Sequence, residues 1–507
     1  MGHKPRRPAS ESTITIDGVE LEREQLIEEC EEALEKLMEE RLEPGGNFEA
    51  YEKTLLELVH EIARRKLERK LQTIADGFAD RLLISYKEDW HGLREGDVFE
   101  YRRHAPGRVA YHSLVGTLWV RRDTYREKGR YGTSYVPLEL EAGLMEQMTP
   151  ALAKSTALGY AYMPPRQCEQ FMVASGLQPP SRSTLDRGGR DLGAYAVAVN
   201  AEIEPLVRAN EVIDPKARTI ALGLDRTGVP MRHGESPGDA LSHSYWDVRR
   251  SRPRPKKRAQ IRGPVQWRMD YVGTFSLLDE AGKPVVTRKY RLPGEANPAV
   301  IVERLMADAR RALEQRPLTI AVVQDGAPEL WKLMSEALAN EQLVPTWTEV
   351  LDWYHLDERL SKCLDLCTTT QTRKTQRARW HAKLLESDTG ITNVIRSLRR
   401  QARTLDTDDA EEFAVHINYF VRNRHRTAYA RYRRCAIPIG SGITEGACKS
   451  VVGVRAKRSG QRWSQRGLSA ALHLRSIHQS DRFESFWSFF AQRYRARHIV
   501  AVGAQRA

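Results

Sequence analysis

The chain is organised around the stretch Ile439-Gly-Ser-Gly-Ile-Thr-Glu445-Gly-Ala-Cys-Lys-Ser-Val-Val-Gly-Val-Arg455-Ala-Lys-Arg458. It opens with a Gly-Ser-Gly turn, which lets backbone N–H groups approach a partner closely. It continues as a predicted helix with one carboxylate, Glu445, in its first turn. Ala447, Val451 and Val454 recur at helical spacing and predict one apolar face, while Lys and Arg side chains make the rest basic. A lone acid near a helix N-terminus commonly only complements the helix dipole, so its role depends on acids elsewhere in the chain.

Two upstream segments predict strands that each end on an acid. Thr219-Ile-Ala-Leu-Gly-Leu-Asp225 is apolar and turns immediately after Asp225, and a second apolar run ends on Asp325. Between them lie a predicted pair of strands and an amphipathic helix over residues 298–315. The resulting order β-β-β-α-β is that of an RNase H-like α/β fold. One strand-end Asp is usually a turn former, but two in these positions, followed by the Gly-Ser-Gly-x-x-Glu segment, predict a shared site.

Carboxylates in this arrangement suit metal-dependent cleavage of a phosphodiester. In-line displacement needs the attacking and leaving oxygens stabilised, and two Mg²⁺ ions about 3.5–4 Å apart can do this when carboxylate oxygens hold them. Converging carboxylates repel one another unless cations occupy the site. We therefore expect Asp225, Asp325 and Glu445 to bind two Mg²⁺ ions, with Mn²⁺ as a substitute.

The charge balance predicts a polyanionic partner. The 507 residues include 80 Lys and Arg against 67 Asp and Glu, which gives a net charge of +13. The pI is near 9.4. Because residues 17–43 are strongly acidic, the remainder is more basic than this average.

The apolar runs and the cysteines indicate the compartment. No run approaches the roughly 18–20 apolar residues of a membrane span, and the N-terminus has no apolar signal segment, so we expect a cytoplasmic protein without a membrane partner. Six Cys in a chain of this length agree with a reducing compartment. Cys363 and Cys367 could face one ligand, but no second Cys/His pair at suitable spacing completes a zinc site.

Residues 1–97 are predicted to be a helical region. Two helices, over about 19–42 and 48–83, are separated by Pro44-Gly45-Gly46, and each carries an apolar stripe. They either pack simply against each other or mediate a coiled-coil dimer.

Two further regions precede the predicted core. Alternating residues in 98–148 predict a small sheet that is either a phosphate-contacting platform or a structural spacer. Three helices in 149–210 follow one another as in a helix-turn-helix, which would place Arg182 and Arg187 near DNA. Small helical trios also occur without DNA, and Gly188-Gly189 in the third helix counts against this interpretation.

A basic, Pro-broken segment lies between the first acid and the next predicted strand. It spans about residues 231–268 and contains Arg249, Arg250, Lys256 and Lys257. The functional interpretation is a loop that clamps DNA beside the active site, and the alternative is an ordinary solvated loop.

The contexts of the three acids resemble the DDE triad of bacterial insertion-sequence transposases, in particular the ISKra group, which is related to the Mutator-like transposases. The similar segments are Leu-Gly-Leu-Asp225-Arg-Thr-Gly, Val-Val-Gln-Asp325-Gly-Ala-Pro and Gly-Ser-Gly-Ile-Thr-Glu445-Gly. The segment Arg455-Ala-Lys-Arg-Ser-Gly-Gln-Arg-Trp-Ser resembles the tail after the catalytic Glu in that group. Asp352-Trp-Tyr-His resembles its Asp/Cys-x-x-His motif. The likeness covers roughly residues 100–490.

This resemblance implies a bacterial, DNA-associated enzyme that cuts DNA at transposon ends and joins the freed 3′-OH to target DNA. The RNase H-like core would occupy residues 211–355 and 436–507, with an all-helical insertion over 356–435 between them. Because two ends must be brought together, the resemblance also implies a homo-oligomer, at least a dimer.

The resemblance further implies roles for residues outside the triad. His355 would belong to the catalytic site, contacting the scissile phosphate or orienting the carboxylates. Alternatively, His355 and Asp352 only pack at a strand–helix junction. DNA contacts are expected from the basic tail, namely Arg455, Lys457, Arg458, Arg462 and Trp463. Trp463 would either stack on a base or pack in the core.

Two other functions use the same features. An RNase H-like nuclease or resolvase would cut DNA without joining it and would need the triad but neither paired ends nor a long helical insertion. A non-catalytic DNA-binding protein could retain the fold, although the intact triad counts against it.

Overall fold

The computed structural model describes residues 13–16, 19–22, 32, 48–85, 98–127, 135–232, 265–293, 296–344, 346–367, 370–495 and 500–501. The chain divides into two units, residues 1–67 and 68–507. Helices and sheets both contribute, so the predicted mixed α/β class is confirmed. None of the helices in these ranges is long and apolar enough to cross a membrane.

The first unit contains a small hairpin where a helix was predicted. Strands β1 (Thr13–Ile16) and β2 (Val19–Glu22) pair antiparallel. The prediction of a helix beginning at Val19 is therefore wrong, because Val-Glu-Leu-Glu alternates at the two-residue period of a strand. The rest of that predicted helix, apart from residue 32, lies outside the described residues.

Helix α1 (Phe48–Asp76) confirms the second predicted helix but ends earlier than predicted. Gly77 follows it, and Arg81–Ser85 form strand β3. The large apolar residues Phe48, Tyr51 and Ile62 on α1 are exposed. The dimer predicted for this region stays a prediction.

The second unit contains the last part of α1 and the small sheet expected from residues 98–148. Strands β4 (Val98–Ser113) and β5 (Gly116–Glu127) form a long antiparallel hairpin. Strand β3 pairs with β4, and β11 (Val500–Ala501) pairs with β3. One face of this sheet packs into a small core around Tyr111 and Leu118.

Helices α2 (Pro137–Glu141), α3 (Pro150–Tyr162), α4 (Pro165–Ala174) and α5 (Arg182–Ala209) follow the small sheet. The Gly188-Gly189 pair does not interrupt α5. A Cβ at Gly188 would overlap Met148, and one at Gly189 would overlap Tyr160, so these glycines allow close packing of α5. The helix-turn-helix role stays a prediction.

The main sheet has five strands, which lie in the spatial order Thr348–Leu351 (β10), Thr319–Gln324 (β9), Thr219–Met231 (β6), Gln266–Leu278 (β7) and Pro284–Pro293 (β8). Strand β6 (Thr219–Met231) pairs antiparallel with β7 (Gln266–Leu278), which pairs antiparallel with β8 (Pro284–Pro293). On its other side β6 pairs parallel with β9 (Thr319–Gln324), and β9 pairs parallel with β10 (Thr348–Leu351). Helices α6 (Ala299–Gln315) and α7 (Pro328–Ala339) pack their apolar side chains into one core with this sheet.

Strand β6 is longer than predicted. It was expected to end at Asp225, but it continues to Met231 and stays paired with β7 throughout. The reason is that Val229 and Met231 are buried in a core with the C-terminal region. Asp225 therefore lies inside β6, three residues beyond the last residue that pairs with β9.

The described residues between β10 and the Gly-Ser-Gly turn are helical, as predicted for 356–435. The α-helices are α8 (Trp353–Cys367), α9 (Thr370–Glu386), α10 (Gly390–Gln401), α11 (Thr407–Arg422) and α12 (Tyr429–Arg434). Their apolar faces share a core with β9 and β10.

The C-terminal part contains an irregular helix. Helix α13 (Gly442–Ala447) passes into a π-helical turn (Cys448–Gly453) and then α14 (Val454–Ala456). The wider turn shifts the helical register, so Val451 and Val452 are both buried whereas Val454 is 55% exposed. The inward position predicted for Val454 is therefore wrong. Helices α15 (Gln465–Gln479) and α16 (Phe483–Arg495) follow and share a core with α3, α4 and α5.

Candidate active site

Parallel pairing brings three acids to one edge of the main sheet. Leu222 of β6 is opposite Val322 of β9, and Asp225 and Asp325 each lie three residues further on. Asp352 follows β10 directly, and its N–H donates to the carbonyl of Gln324 at 3.0 Å. Asp325 and Asp352 therefore follow the carboxyl ends of β9 and β10, and Asp225 lies at the same level inside β6, beyond its pairing with β9.

Helix α13 places Glu445 over this edge. A Cβ on Gly223 would overlap the hydroxyl of Thr444, so α13 lies directly against β6. The hydroxyls of Thr444 and Thr274 are hydrogen-bonded at 2.7 Å, which ties α13 to β7 as well. Asp225 lies two residues after Gly223 in β6, on the same face of the sheet, because side chains alternate along a strand.

The Gly-Ser-Gly turn is bonded to the end of β10. The N–H of Ser441 donates to Asp352 Oδ1 at 2.5 Å, and the N–H of Trp353 donates to the carbonyl of Ile439 at 2.9 Å. The other oxygen of Asp352 accepts the N–H of His355 at 2.8 Å. As a result, ligand atoms of Asp352, His355 and Glu445 all lie within 4.8 Å of one another.

Asp225 is a half-buried carboxylate close to another acid. Its Oδ1 accepts the N–H of Arg226 at 2.6 Å. Burial raises the pKa of Asp225, and repulsion from Asp325 raises it further, against the opposing effects of the Arg226 N–H, Cys448 and His355. The carboxylate is therefore held in a place where negative charge is disfavoured until a cation arrives.

Cys448 is a neighbour of Asp225 that the sequence reasoning missed. Its Sγ donates to Asp225 Oδ2 at 3.6 Å. Burial raises the pKa of Cys448, and the charge of Asp225 adds to this, so the thiol stays protonated. Its position three residues after Glu445 on a predicted helix was the available signal, since residues at that spacing share a face.

Asp325 connects the end of β9 to the next helix. Its Oδ1 accepts the N–H of Ala327 at 3.1 Å, and its carbonyl accepts the indole N–H of Trp331 at 2.6 Å. Among the described residues, no Lys or Arg forms an ion pair with Asp225, Asp325 or Asp352. Glu445 has only the exposed ammonium of Lys449, at 3.4 Å. The group is thus a set of carboxylates with little compensating positive charge.

A cavity of about 370 Å³ opens beside Asp325 and is lined by charges of both signs. Its cations are Arg226, Arg359 and Lys362, of which Arg226 pairs with Glu329 and Lys362 with Glu358, and His355 also lines it. The guanidinium of Arg359 stacks 3.9 Å from the ring centre of Tyr419. The sequence did not predict this cavity, because it forms where α8 and α11 pack together in the folded chain. The available signal was that Arg359 follows His355 by one helical turn, so the two side chains share a helix face.

The predicted DNA-contacting residues divide by exposure. Arg182, Arg187, Lys457 and Arg462 are exposed. The ammonium of Lys457 donates to Thr227 at 2.6 Å, close to the first acid in β6.

Arg458 is half-buried and donates to Gln167 at 2.8 Å and to the carbonyl of Tyr162 at 3.2 Å. Arg249, Arg250, Lys256 and Lys257 lie outside the described residues.

Arg455 and Trp463 occupy the interior instead of the predicted DNA surface. Arg455 is 2% exposed, donates to the carbonyls of Tyr160 and Met163, and lies 4.5 Å from the Trp463 ring centre. Burial lowers the pKa of Arg455 to about 10. Trp463 is 9% exposed and donates to the carbonyl of Ala456. The direct DNA contact predicted for these two side chains is corrected to a packing role, because both are enclosed by the chain itself.

Comparisons with known proteins give a distant structural similarity. No family model matches the chain, and no curated protein matches it. A solved structure described as the Drosophila P element transposase strand transfer complex is similar at 12% sequence identity and a TM-score of 0.25. The similarity covers 69% of this chain and 81% of that one.

Proposed function

We propose that this chain is a DDE-type transposase of the bacterial insertion-sequence class that its motifs resemble, the ISKra group. In this proposal the main sheet is an RNase H-like core, with three antiparallel strands followed by a helix and two parallel strands, and the helices from α8 to α12 are its insertion. The observation that supports the proposal is that Asp225 and Asp325 lie at one edge of the main sheet, where each repels the other's charge, and that α13, which carries Glu445, packs against β6 beside them. Among the described residues, neither Asp pairs with a Lys or Arg, and Glu445 pairs only with the exposed Lys449.

The donor atoms fit a pair of hard divalent cations. Asp225, Asp325 and Glu445 offer carboxylate oxygens, which Mg²⁺ and Mn²⁺ prefer, and the mutual repulsion around Asp225 favours cation binding. When bound, two such ions stabilise charge on the attacking and leaving oxygens of a phosphodiester. The chain itself holds these carboxylates rigidly, through the strand register and the hydrogen bonds of α13.

Cations that line the cavity would bind the DNA backbone. Arg359 lines a space that also reaches Asp325 and His355, and Arg226 and Lys362 line the same space, where each pairs with a glutamate that a phosphate would displace. Such cations bind phosphates on either side of the scissile bond and orient it toward the acids. His355 lies where it can contact the same phosphate. Lys457 and Arg462 would extend the basic surface along β6 and the tail.

The reaction in this proposal has two steps at one site. Water attacks the phosphate at a transposon end, and the freed 3′-OH then attacks target DNA. Since two ends must be joined together, the active form would be at least a dimer. The exposed apolar face of α1, with Phe48, Tyr51 and Ile62, is available for that contact.

The test is strand cleavage and joining on labelled DNA taken from the flanks of the gene, with Mg²⁺ or Mn²⁺. Wild type is compared with Asp325→Asn and Glu445→Gln, and Asp388→Asn is the matched control because its carboxylate is exposed and pairs with Arg434. We expect cutting and joining in wild type and in the control, and neither in the two site variants.

Other outcomes would assign the rival functions. Cutting without joining would indicate a nuclease or resolvase. Tight DNA binding with no metal-dependent cutting, unchanged by either site substitution, would indicate a non-catalytic DNA-binding protein.

A further inference from the structure

A second set of potential ligands shares Glu445 with the proposed triad. In the part of the chain that the structure describes, the group formed by Asp352, His355 and Glu445 is the only one in which three or more His, Cys, Asp or Glu side chains bring ligand atoms within 4.8 Å of one another. It contains an imidazole, which the triad lacks. The two sets therefore differ in the metal chemistry they favour.

Asp352 is a buried carboxylate that lacks a cationic partner among the described residues. Asp352 is 0% exposed. Each of its oxygens accepts one backbone N–H, from Ser441 and from His355, and each retains a further lone pair. No described Lys or Arg pairs with it. A buried carboxylate without a cation is costly, so an ion at this position would relieve that cost.

The imidazole of His355 is free to be a ligand. Its ring nitrogens make no hydrogen bond to any residue in the described ranges, although its backbone N–H is bonded to Asp352. The ring lines the open cavity, so an ion could reach it from solvent. Glu445 is fixed from the other side, because its Oε1 accepts the hydroxyl of Ser441 at 3.3 Å.

We propose that Asp352, His355 and Glu445 form a third cation site, for a divalent transition ion such as Mn²⁺, Co²⁺ or Zn²⁺. One imidazole with two carboxylates suits these ions, whereas Mg²⁺ strongly prefers oxygen ligands alone. Binding here fixes Glu445 against the end of β10 before DNA arrives. The effect on cleavage rests on the proposed function, but the binding itself does not.

The experiment titrates the DNA-free full chain with Co²⁺ and measures binding by calorimetry and visible absorption. Mn²⁺ with electron spin-echo detection of ¹⁴N then tests for imidazole ligation. We expect a nitrogen-ligated ion in wild type. His355→Ala should remove the nitrogen signal and weaken binding at this site by at least about 10- to 100-fold, the loss that even supporting residues cause.

Two comparison variants separate ligation by His355 from metal binding elsewhere on the chain. His425→Ala removes an exposed His from the same helical region and should change nothing. Asp225→Asn removes a triad carboxylate outside the proposed set and should leave the nitrogen signal in place. Circular dichroism of His355→Ala checks that the variant is folded.

The inference is overturned if wild type binds Mn²⁺ without a nitrogen signal, or if binding is insensitive to His355→Ala and is lost in Asp225→Asn. Failure of the proposed function looks different. In that case the nitrogen-ligated ion is present, but DNA is not cut under any metal condition.

Discussion

Two acids in this protein, Asp308 in α6 and Asp225 at the edge of the main sheet, differ in the charged groups that surround them. Asp308 in α6 is 3% exposed, and its oxygens accept hydrogen bonds from Arg208 at 2.7 Å, Arg482 at 2.8 Å and Tyr290 at 2.5 Å. Burial alone raises the pKa of such a carboxyl, but Arg482 and Arg208 outweigh it and the pKa of Asp308 is lowered. At Asp225, without such partners, burial and Asp325 raise the pKa.

The difference distinguishes acids that hold the fold together from acids that would bind metal ions under the proposed function. The Asp308 group connects α5, β8, α6 and the link between α15 and α16, and its charges are satisfied within the chain. Asp225, Asp325 and Asp352 at the sheet edge accept backbone N–H groups and form no ion pair with a described Lys or Arg. Burial by itself therefore does not distinguish the two groups, whereas the counter-charges among the described residues do.

The largest expected effect is on catalysis. Asp225→Asn keeps the size and most hydrogen bonds of the side chain but removes its charge. DNA strand cleavage should fall by on the order of 10³-fold or more, since each factor of ten corresponds to about 1.4 kcal/mol and metal ligation provides several kcal/mol. Single-turnover cleavage measures this rate. Cleavage within tenfold of wild type would remove Asp225 from the active site.

The second largest effect is on the free energy of unfolding, for a substitution at Asp308. Asp308→Asn removes the buried carboxylate that Arg208 and Arg482 share and leaves them with Glu204 and Glu211, so we expect a loss of about 3 kcal/mol in the free energy of unfolding at pH 7, the lower end of the cost of breaking a buried ion pair. Denaturant unfolding provides the value. The exposed pair of Asp388 and Arg434 is the control, and Asp388→Asn should cost no more than about 1 kcal/mol.

The pH dependence of that loss has a defined sign. Because the pKa of Asp308 is lower in the folded state than in the unfolded chain, its stabilisation is present above the unfolded value of about 3.9 and is lost as pH falls through the folded value. The difference between wild type and Asp308→Asn should therefore shrink in acid. A constant difference between pH 7 and pH 3 would contradict a stabilising ion pair at Asp308.

A third substitution tests how Glu445 is positioned. Gly223→Ala places a methyl group where the hydroxyl of Thr444 lies, so α13 must move away from β6. Overpacking of this kind costs about 1–3 kcal/mol in stability, and cleavage should fall as well because Glu445 moves with the helix. Gly446→Ala on the same helix is the matched control, since its Cβ would meet no atom within 4 Å. Equal effects of the two substitutions would show that this contact is not responsible.

The smallest expected effect is on the free energy of unfolding of Asp225→Asn, which should rise, whereas that of Asp308→Asn should fall. Asp225→Asn relieves repulsion, so without divalent metal the variant should be more stable than wild type at pH 7 by up to about 1 kcal/mol. The raised pKa of Asp225 means that this gain is complete above the folded pKa and disappears as pH falls below the unfolded value. Thermal unfolding measures it. Added Mn²⁺ should reverse the order, because it stabilises wild type by binding the folded state.

The sequence predicted the elements next to the acids better than the packing around them. The strand before Asp325, the helix that carries Glu445 and the helix over 298–315 follow directly from apolar periodicity, which reports burial on one face. The continuation of β6 through Asp225 did not, because it depends on packing of Val229 and Met231 against residues more than 200 positions away. Local patterns do not encode such contacts.

The buried positions of Arg455 and Trp463 were missed for a related reason. A basic run predicts a solvated or DNA-contacting surface, and nothing in the run marks the one Arg that turns inward to the carbonyl of Tyr160. Likewise the π-helical turn after α13 changes which Val residues face the core, and no residue type specifies it.

The central claim is that metal ions held by the sheet-edge carboxylates contact the scissile phosphate. The most direct test replaces one non-bridging oxygen of that phosphate by sulfur and compares cleavage in Mg²⁺ and Mn²⁺. We predict that one diastereomer is cut on the order of tenfold or more slowly in Mg²⁺ and recovers in Mn²⁺, which accepts sulfur more readily. Cleavage that is indifferent to the sulfur, or equally slow in both metals for both diastereomers, would contradict the claim.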